Sequence, residues 1–150
     1  MNKMDAAESS FNLWLLIGKV NHSIMLIRQR ELNQHHIPVR QTLVLYTIQE
    51  LGEKATLSEV AKLVEREVHV VSRQAVSMEK DGLIKRIKNT PKSNLLRLEL
   101  TERGMEVVKV ARESESITSI LSFLTAEERK QMESILNRIL ARVEKYNAGS

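Results

Sequence analysis

The chain has 150 residues, 42% hydrophobic and 28% charged, with a net charge of +4 and no cysteine. That length and balance suit one folded domain around a buried core and exclude a disordered charged tail; the missing thiols exclude disulfides, thiolate metal sites and thiol redox sensing. Aromatic residues, at 3%, are too few for a single-strand stacking surface, and no apolar run reaches the roughly 18 residues of a membrane span, so a cytoplasmic protein with no membrane partner is expected.

Apolar residues Leu13, Ile17, Val20, Ile24 and Ile27 recur at steps of four and three, which predicts an amphipathic first helix over residues 10–33. The run His35-His36-Ile37-Pro38 ends it, and Pro38 suits the first position of a second helix carrying Leu43, Val44, Ile48 and Leu51 as far as Gly52. Thr56-Leu57-Ser58-Glu59 reads as a capping box that opens a third helix to about Val64. A fourth helix, 68–80, buries Val71, Ala75 and Met78 and leaves His69, Ser72, Arg73 and Ser77 off that side, with Asp81-Gly82 as its stop.

Residues 83–88 and 95–100 flank a polar loop, 89–94, and the alternation of Leu96, Leu98 and Leu100 with Arg97 and Glu99 predicts a hairpin. Helix resumes at Thr101-Glu102 and runs through Met105, Val108 and Ala111 toward Leu121. A second capping box, Thr125 to Glu128, opens a last helix to about Tyr146, striped by Met132, Leu136, Ile139 and Val143, before a loose tail. The expected architecture is mainly α with a small β-hairpin, a winged helix-turn-helix flanked by N- and C-terminal dimerisation helices. It occupies residues 1–150 as a single domain, with the DNA-binding part at about 38–100 and the dimerisation helices at about 9–33 and 101–147.

Charge is concentrated in one place. Residues 66–97 hold eight Lys or Arg against three acids, so this stretch carries +5 and the rest of the chain nets −1. Two helices joined by a short turn and then a basic hairpin place one helix in a major groove and the hairpin over the adjacent backbone or minor groove. The candidate DNA contacts are His69, Val70, Ser72, Arg73, Gln74 and Ser77 on the fourth helix, and Arg86, Lys88, Lys92, Asn94 and Arg97 on the hairpin, with Lys85 beside them. Arg73 leads, because a guanidinium pairs two-pronged with guanine.

The stretch Gln41 to Leu51, Thr56-Leu57-Ser58-Glu59-Val60-Ala61, Val71-Ser72-Arg73, Lys80-Asp81-Gly82-Leu83-Ile84-Lys85-Arg86 and Leu100-Thr101-Glu102-Arg103-Gly104, in this order and spacing, resemble the MarR family (multiple antibiotic resistance regulators) over nearly the whole chain. That resemblance implies a homodimer on a pseudo-palindromic double-stranded operator, most simply a repressor, with a small-molecule effector of unknown identity in some members. One departure stands out: family wings carry Asp-x-Arg near the tip, whereas this chain has Lys92-Ser93-Asn94 there.

Leu13, Ile17 and Val20 near the start and Met132, Leu136, Ile139 and Val143 near the end are the candidate dimer seam. An effector pocket lined by Trp14, Ile17, Val44 and Ile48 is one reading of those residues; plain core is the other. His22, His35 and His36 lack a placed carboxylate or thiolate partner, so no metal is expected. No cofactor is expected either: there is no paired-carboxylate and nucleophile set, no glycine-rich phosphate loop and no His-Glu metal motif, so the chain does not read as an enzyme. The alternative reading is a winged helix used for protein interaction or dimerisation without DNA.

Overall fold

The computed structural model describes residues 2–88 and 90–149; Asn89 of the expected loop and the terminal Met1 and Ser150 lie outside the described residues. Helix α1 (Lys3–Asn33) starts earlier than periodicity alone implied. Asn2 accepts from the Met4 N–H at 2.6 Å while Asp5 accepts from the Asn2 N–H at 3.3 Å, a capping box that no apolar stripe announces. At its other end His36 takes a left-handed conformation (φ 58°), which lets the Ile37 N–H reach back to the Leu32 carbonyl at 3.0 Å and buries both Leu32 and Ile37.

Helix α2 (Val39–Leu51) starts one residue later than expected, with Pro38 as its extended N-cap and not its first helical residue. A 3-10 turn (Gly52–Lys54) follows it, then α3 (Leu57–Leu63). The box expected at Thr56 is half made. Its hydroxyl accepts from the Glu59 N–H at 3.2 Å, but the Thr56 N–H is already committed to the Lys54 carbonyl at 2.8 Å, so Glu59 has no donor to reach back to. Helix α4 (Val68–Lys80) leads into the antiparallel pair β1 (Ile84–Lys88) and β2 (Leu96–Leu100), in register Ile84 to Leu100 through Lys88 to Leu96.

The expected single helix after Thr101 is two: α5 (Glu102–Arg112) and α6 (Glu115–Leu121). The break falls at Ser114, which is buried and donates its hydroxyl proton to the Glu31 carboxylate at 2.9 Å. Beside it Arg28 donates to the Ala111 carbonyl at 2.7 Å, so the end of α1 closes off the end of α5. Helix α7 (Ala126–Ala148) carries the complete second capping box, Thr125 N–H to Glu128 at 2.9 Å and Glu128 N–H to Thr125 at 3.2 Å, and runs two residues past the expected end.

Two compact units divide the chain after Ser114. In the first, Val44, Leu45 and Ile48 of α2, Val60 and Ala61 of α3, Val71, Ala75 and Met78 of α4, Ile84 and Leu98 of the hairpin and Val108 of α5 form one buried cluster. Helix α5 therefore belongs to the core of the winged unit: Val108 packs in that cluster and Gly104 is buried on the same side. In the second unit Arg129 of α7 donates to the Leu121 carbonyl at 3.0 Å, and α7 has no buried residue along its length. Among the described residues no helix is long and apolar enough to cross a membrane.

Candidate nucleic-acid interface

Because Val71, Ala75 and Met78 turn one side of α4 into the core, the opposite side is fixed by the 3.6-residue period. His69, Arg73, Val76, Ser77 and Lys80 stand exposed there, while Val70, Ser72 and Gln74 are half-buried on the flanks. Arg66, in the turn after α3, donates to the Gln74 side-chain oxygen at 3.1 Å, so Gln74 braces the turn in this structure. Val76 and Lys80 were not among the candidates the sequence suggested, although they lie three and seven residues beyond Arg73 on the same side. The apolar character of one and the helix-end position of the other hid them.

The far end of α4 is locked. Gly82 (φ 71°) supplies the left-handed residue, its N–H bonds to the Glu79 carbonyl at 3.0 Å, and the Leu83 N–H bonds to the Met78 carbonyl at 2.8 Å, with both Met78 and Leu83 in the core. The chain thereby leaves the helix directly into β1. β2 is held in turn to the helix-turn-helix by the Leu98 N–H on the Ala55 carbonyl at 2.7 Å and by a bridge between Thr56 and Arg97.

On this hairpin Lys85, Lys88, Lys92 and Asn94 are exposed. Ser93 shapes the tip, its N–H on the Thr90 carbonyl at 3.0 Å and its hydroxyl accepting from the Leu95 N–H at 3.1 Å. The two hairpin arginines are engaged within the protein. Arg97 pairs with Glu99 at 3.1 Å, its side chain is only 21% exposed, and its Nε is buried with no hydrogen-bond partner among the described residues. Arg86 pairs with Glu79 of α4 at 2.8 Å. That pair draws the Glu79 carboxyl below its ordinary pKa and raises the Arg86 guanidinium, chiefly through their side-chain hydrogen bonds.

The candidate seam residues are all at the surface: Leu13, Ile17 and Val20 on α1 are 42–55% exposed, and Met132, Leu136, Ile139 and Val143 on α7 are 38–42% exposed. The four residues considered for an effector pocket separate into two environments. Val44 and Ile48 sit in the core of the winged unit, whereas Trp14 and Ile17 are exposed on α1, where Trp14 leans on Phe11. A cavity of about 210 Å³ lies elsewhere, lined by Arg28, Thr42, Leu43, Tyr46, Val108 and Arg112 among others. Arg112 spans its rim, its guanidinium 4.9 Å from the Tyr46 ring and 3.0 Å from Glu50.

A helix-turn-helix whose second helix bares a polar and cationic stripe, followed at once by a lysine-bearing hairpin, defines a winged-helix protein. No protein-family model matches the chain and no curated protein matches its sequence. Among solved structures, the organohalide-sensing RdhR transcriptional regulator in its 2,4-dichlorophenol-bound form is similar at TM-score 0.77 and 27% identity, over 95% of this chain and 85% of that one. A mutant of E. coli MarR complexed with operator DNA aligns at TM-score 0.77 and 21% identity, over 88% of this chain and 96% of that one. A MarR family protein from Bacillus stearothermophilus aligns at TM-score 0.75 and 20% identity, over 96% and 99%. The chain shares the winged-helix fold of these MarR structures, as the spacing of its motifs implied, and the RdhR neighbour is a transcriptional regulator.

Proposed function

We propose that this chain is a homodimeric, sequence-specific double-stranded DNA-binding transcription regulator of the MarR type, acting as a repressor by occluding a pseudo-palindromic operator. The observation that carries the reading is the stripe His69, Arg73, Ser77 and Lys80 on the exposed side of α4, continued by Lys85, Lys88 and Lys92 on the hairpin. Helix α4 enters the major groove, Arg73 reads base edges, and the lysines neutralise phosphates on either side. A second copy brings the same stripe to the next half-site, about one helical turn away.

Dimerisation is supported by the apolar stripes of α1 and α7, which stand exposed among the described residues. Burying a leucine side chain contributes about 1.5–3 kcal/mol, and two stripes left in water would favour association. Control by a small ligand belongs to the same reading, supported by the dichlorophenol-bound neighbour and by the cavity between α1, α2 and α5.

The test is to select genomic fragments on the purified protein and then titrate a selected and a random duplex between about 50 and 200 mM salt. The expected result is a steep loss of affinity with salt and at least roughly a thousandfold preference for the selected site. Salt-independent binding, or no preference, refutes the regulator in favour of an interaction module. Separately, Leu136→Glu should convert a dimer into a monomer by light scattering; a wild-type monomer at micromolar concentration refutes the seam.

A further inference from the structure

Glu79 lies in the last turn of α4 and Arg86 in the middle of β1. The carboxylate takes the Arg86 Nη2 at 2.8 Å and its Nε at 3.1 Å, and its second oxygen also accepts the Arg86 backbone N–H at 3.2 Å. It therefore grips the strand as well as the side chain. Two planar groups meeting fork to fork hold an angle as well as a distance. The grip also covers a main-chain donor on the edge of β1 away from β2, where no other strand pairs among the described residues.

The other flank of α4 is braced by Arg66 on Gln74, so the helix is tied on both sides of its exposed stripe. Two devices connect α4 to the hairpin: the glycine turn with its core residues fixes where β1 begins, and the Glu79–Arg86 fork fixes how it leaves. The fork lies at the base of the hairpin, away from Lys92-Ser93-Asn94 at its tip. An acid at this position would repel a phosphate; paired, the two side chains present no net charge to the duplex.

We infer that Glu79 and Arg86 are positioning residues that set the angle between the recognition helix and the wing, with Arg86 withheld from DNA. The inference rests on the DNA-binding reading above. It assigns the hairpin's phosphate neutralisation to Lys85, Lys88 and Lys92, and makes the selectivity of the wing depend on an acid that touches no nucleotide.

The full-length protein, titrated by fluorescence anisotropy against the selected and the random duplex over a salt series, separates the possibilities. Glu79→Gln, Arg86→Gln and Arg86→Lys are each expected to weaken binding to the selected site by about three- to tenfold, because a lysine has no fork to offer. The Glu79→Gln/Arg86→Gln double variant should be no weaker than either single one. In the double variant, whose net charge equals that of the parent, random-duplex affinity, salt slope and thermal midpoint should stay at wild-type values, which separates lost positioning from lost charge or lost folding. Had Arg86 gripped a phosphate instead, Arg86→Gln would weaken binding to both duplexes alike. Arg86→Lys would then retain affinity, and Arg86→Gln would flatten the salt slope by about one; any of these results overturns the inference. A wild-type protein that prefers no duplex sinks the regulator reading itself, whereas the Arg86 outcomes leave that reading standing.

Discussion

Gly104, in the first turn of α5, offers a substitution whose sign separates local propensity from tertiary packing. On an exposed helix Gly→Ala stabilises by about 1 kcal/mol, and by that rule Gly104→Ala is an improvement. In the structure a Cβ at this position would stand 2.0 Å from the Leu83 carbonyl oxygen and 3.1 Å from its carbon. Relieving that clash takes a retreat of about 1 Å, because real Cβ atoms approach no nearer than about 3.0 Å. The oxygen has nowhere to go: it accepts from the Thr101 N–H at 3.0 Å, while the N–H of Leu83 is held by Met78 at 2.8 Å.

Overpacking of this kind costs about 1–3 kcal/mol, and a strained or broken Thr101 bond adds about 1. Set against the propensity gain, the net loss is about 2 kcal/mol, or roughly 4–8 °C in Tm for a protein of this size. Urea unfolding followed by circular dichroism, at one protomer concentration for both proteins because dimers are stabilised by mass action, measures it. A variant as stable as the parent, or more so, would show that α5 is free to move off the start of the hairpin, and the close packing argued for it would be wrong.

Three further outcomes are expected. Arg73→Ala should cost about 1–3 kcal/mol of affinity for the selected operator and relax the sequence preference at one base pair per half-site; binding assays on single-base operator variants check it, and equal losses at every sequence would demote Arg73 to a phosphate ligand. Lys88→Ala with Lys92→Ala should weaken binding to all duplexes alike and lower the salt slope by about one for each phosphate left without its lysine, an unchanged slope removing the hairpin tip from the interface. The Glu128 carboxyl lies below its ordinary pKa because it accepts the Thr125 N–H. Its contribution to α7 is therefore fully present above the ordinary carboxylate value of 4.5 and is lost as pH falls through the lower folded-state value, so Glu128→Gln should flatten part of the decline in stability below about pH 4.5. An acid limb identical in the two proteins would count against the capping box.

The order of helices and hairpin was legible in the chain because each element carries its own short-range signal. Val71, Ala75 and Met78 set the period of α4, Leu96, Leu98 and Leu100 that of β2, and Thr125 with Glu128 marks the start of α7 whatever surrounds it. Those spacings also carried the family resemblance. Which cations stand exposed and which are held within the protein was not legible, because Lys88 and Arg86 look equally basic as letters. Arg86 is engaged only because the turn at Gly82 folds β1 back beside Glu79, seven residues away. The same holds for Arg97, drawn half inside by the bridge to Thr56, and for the break at Ser114, whose hydroxyl meets Glu31 from far along the chain. Periodicity reports which side of an element faces inward, since that depends on a residue's near neighbours. The partner a charge finds depends on the path of the whole chain, and for that reason only the tertiary structure decided it.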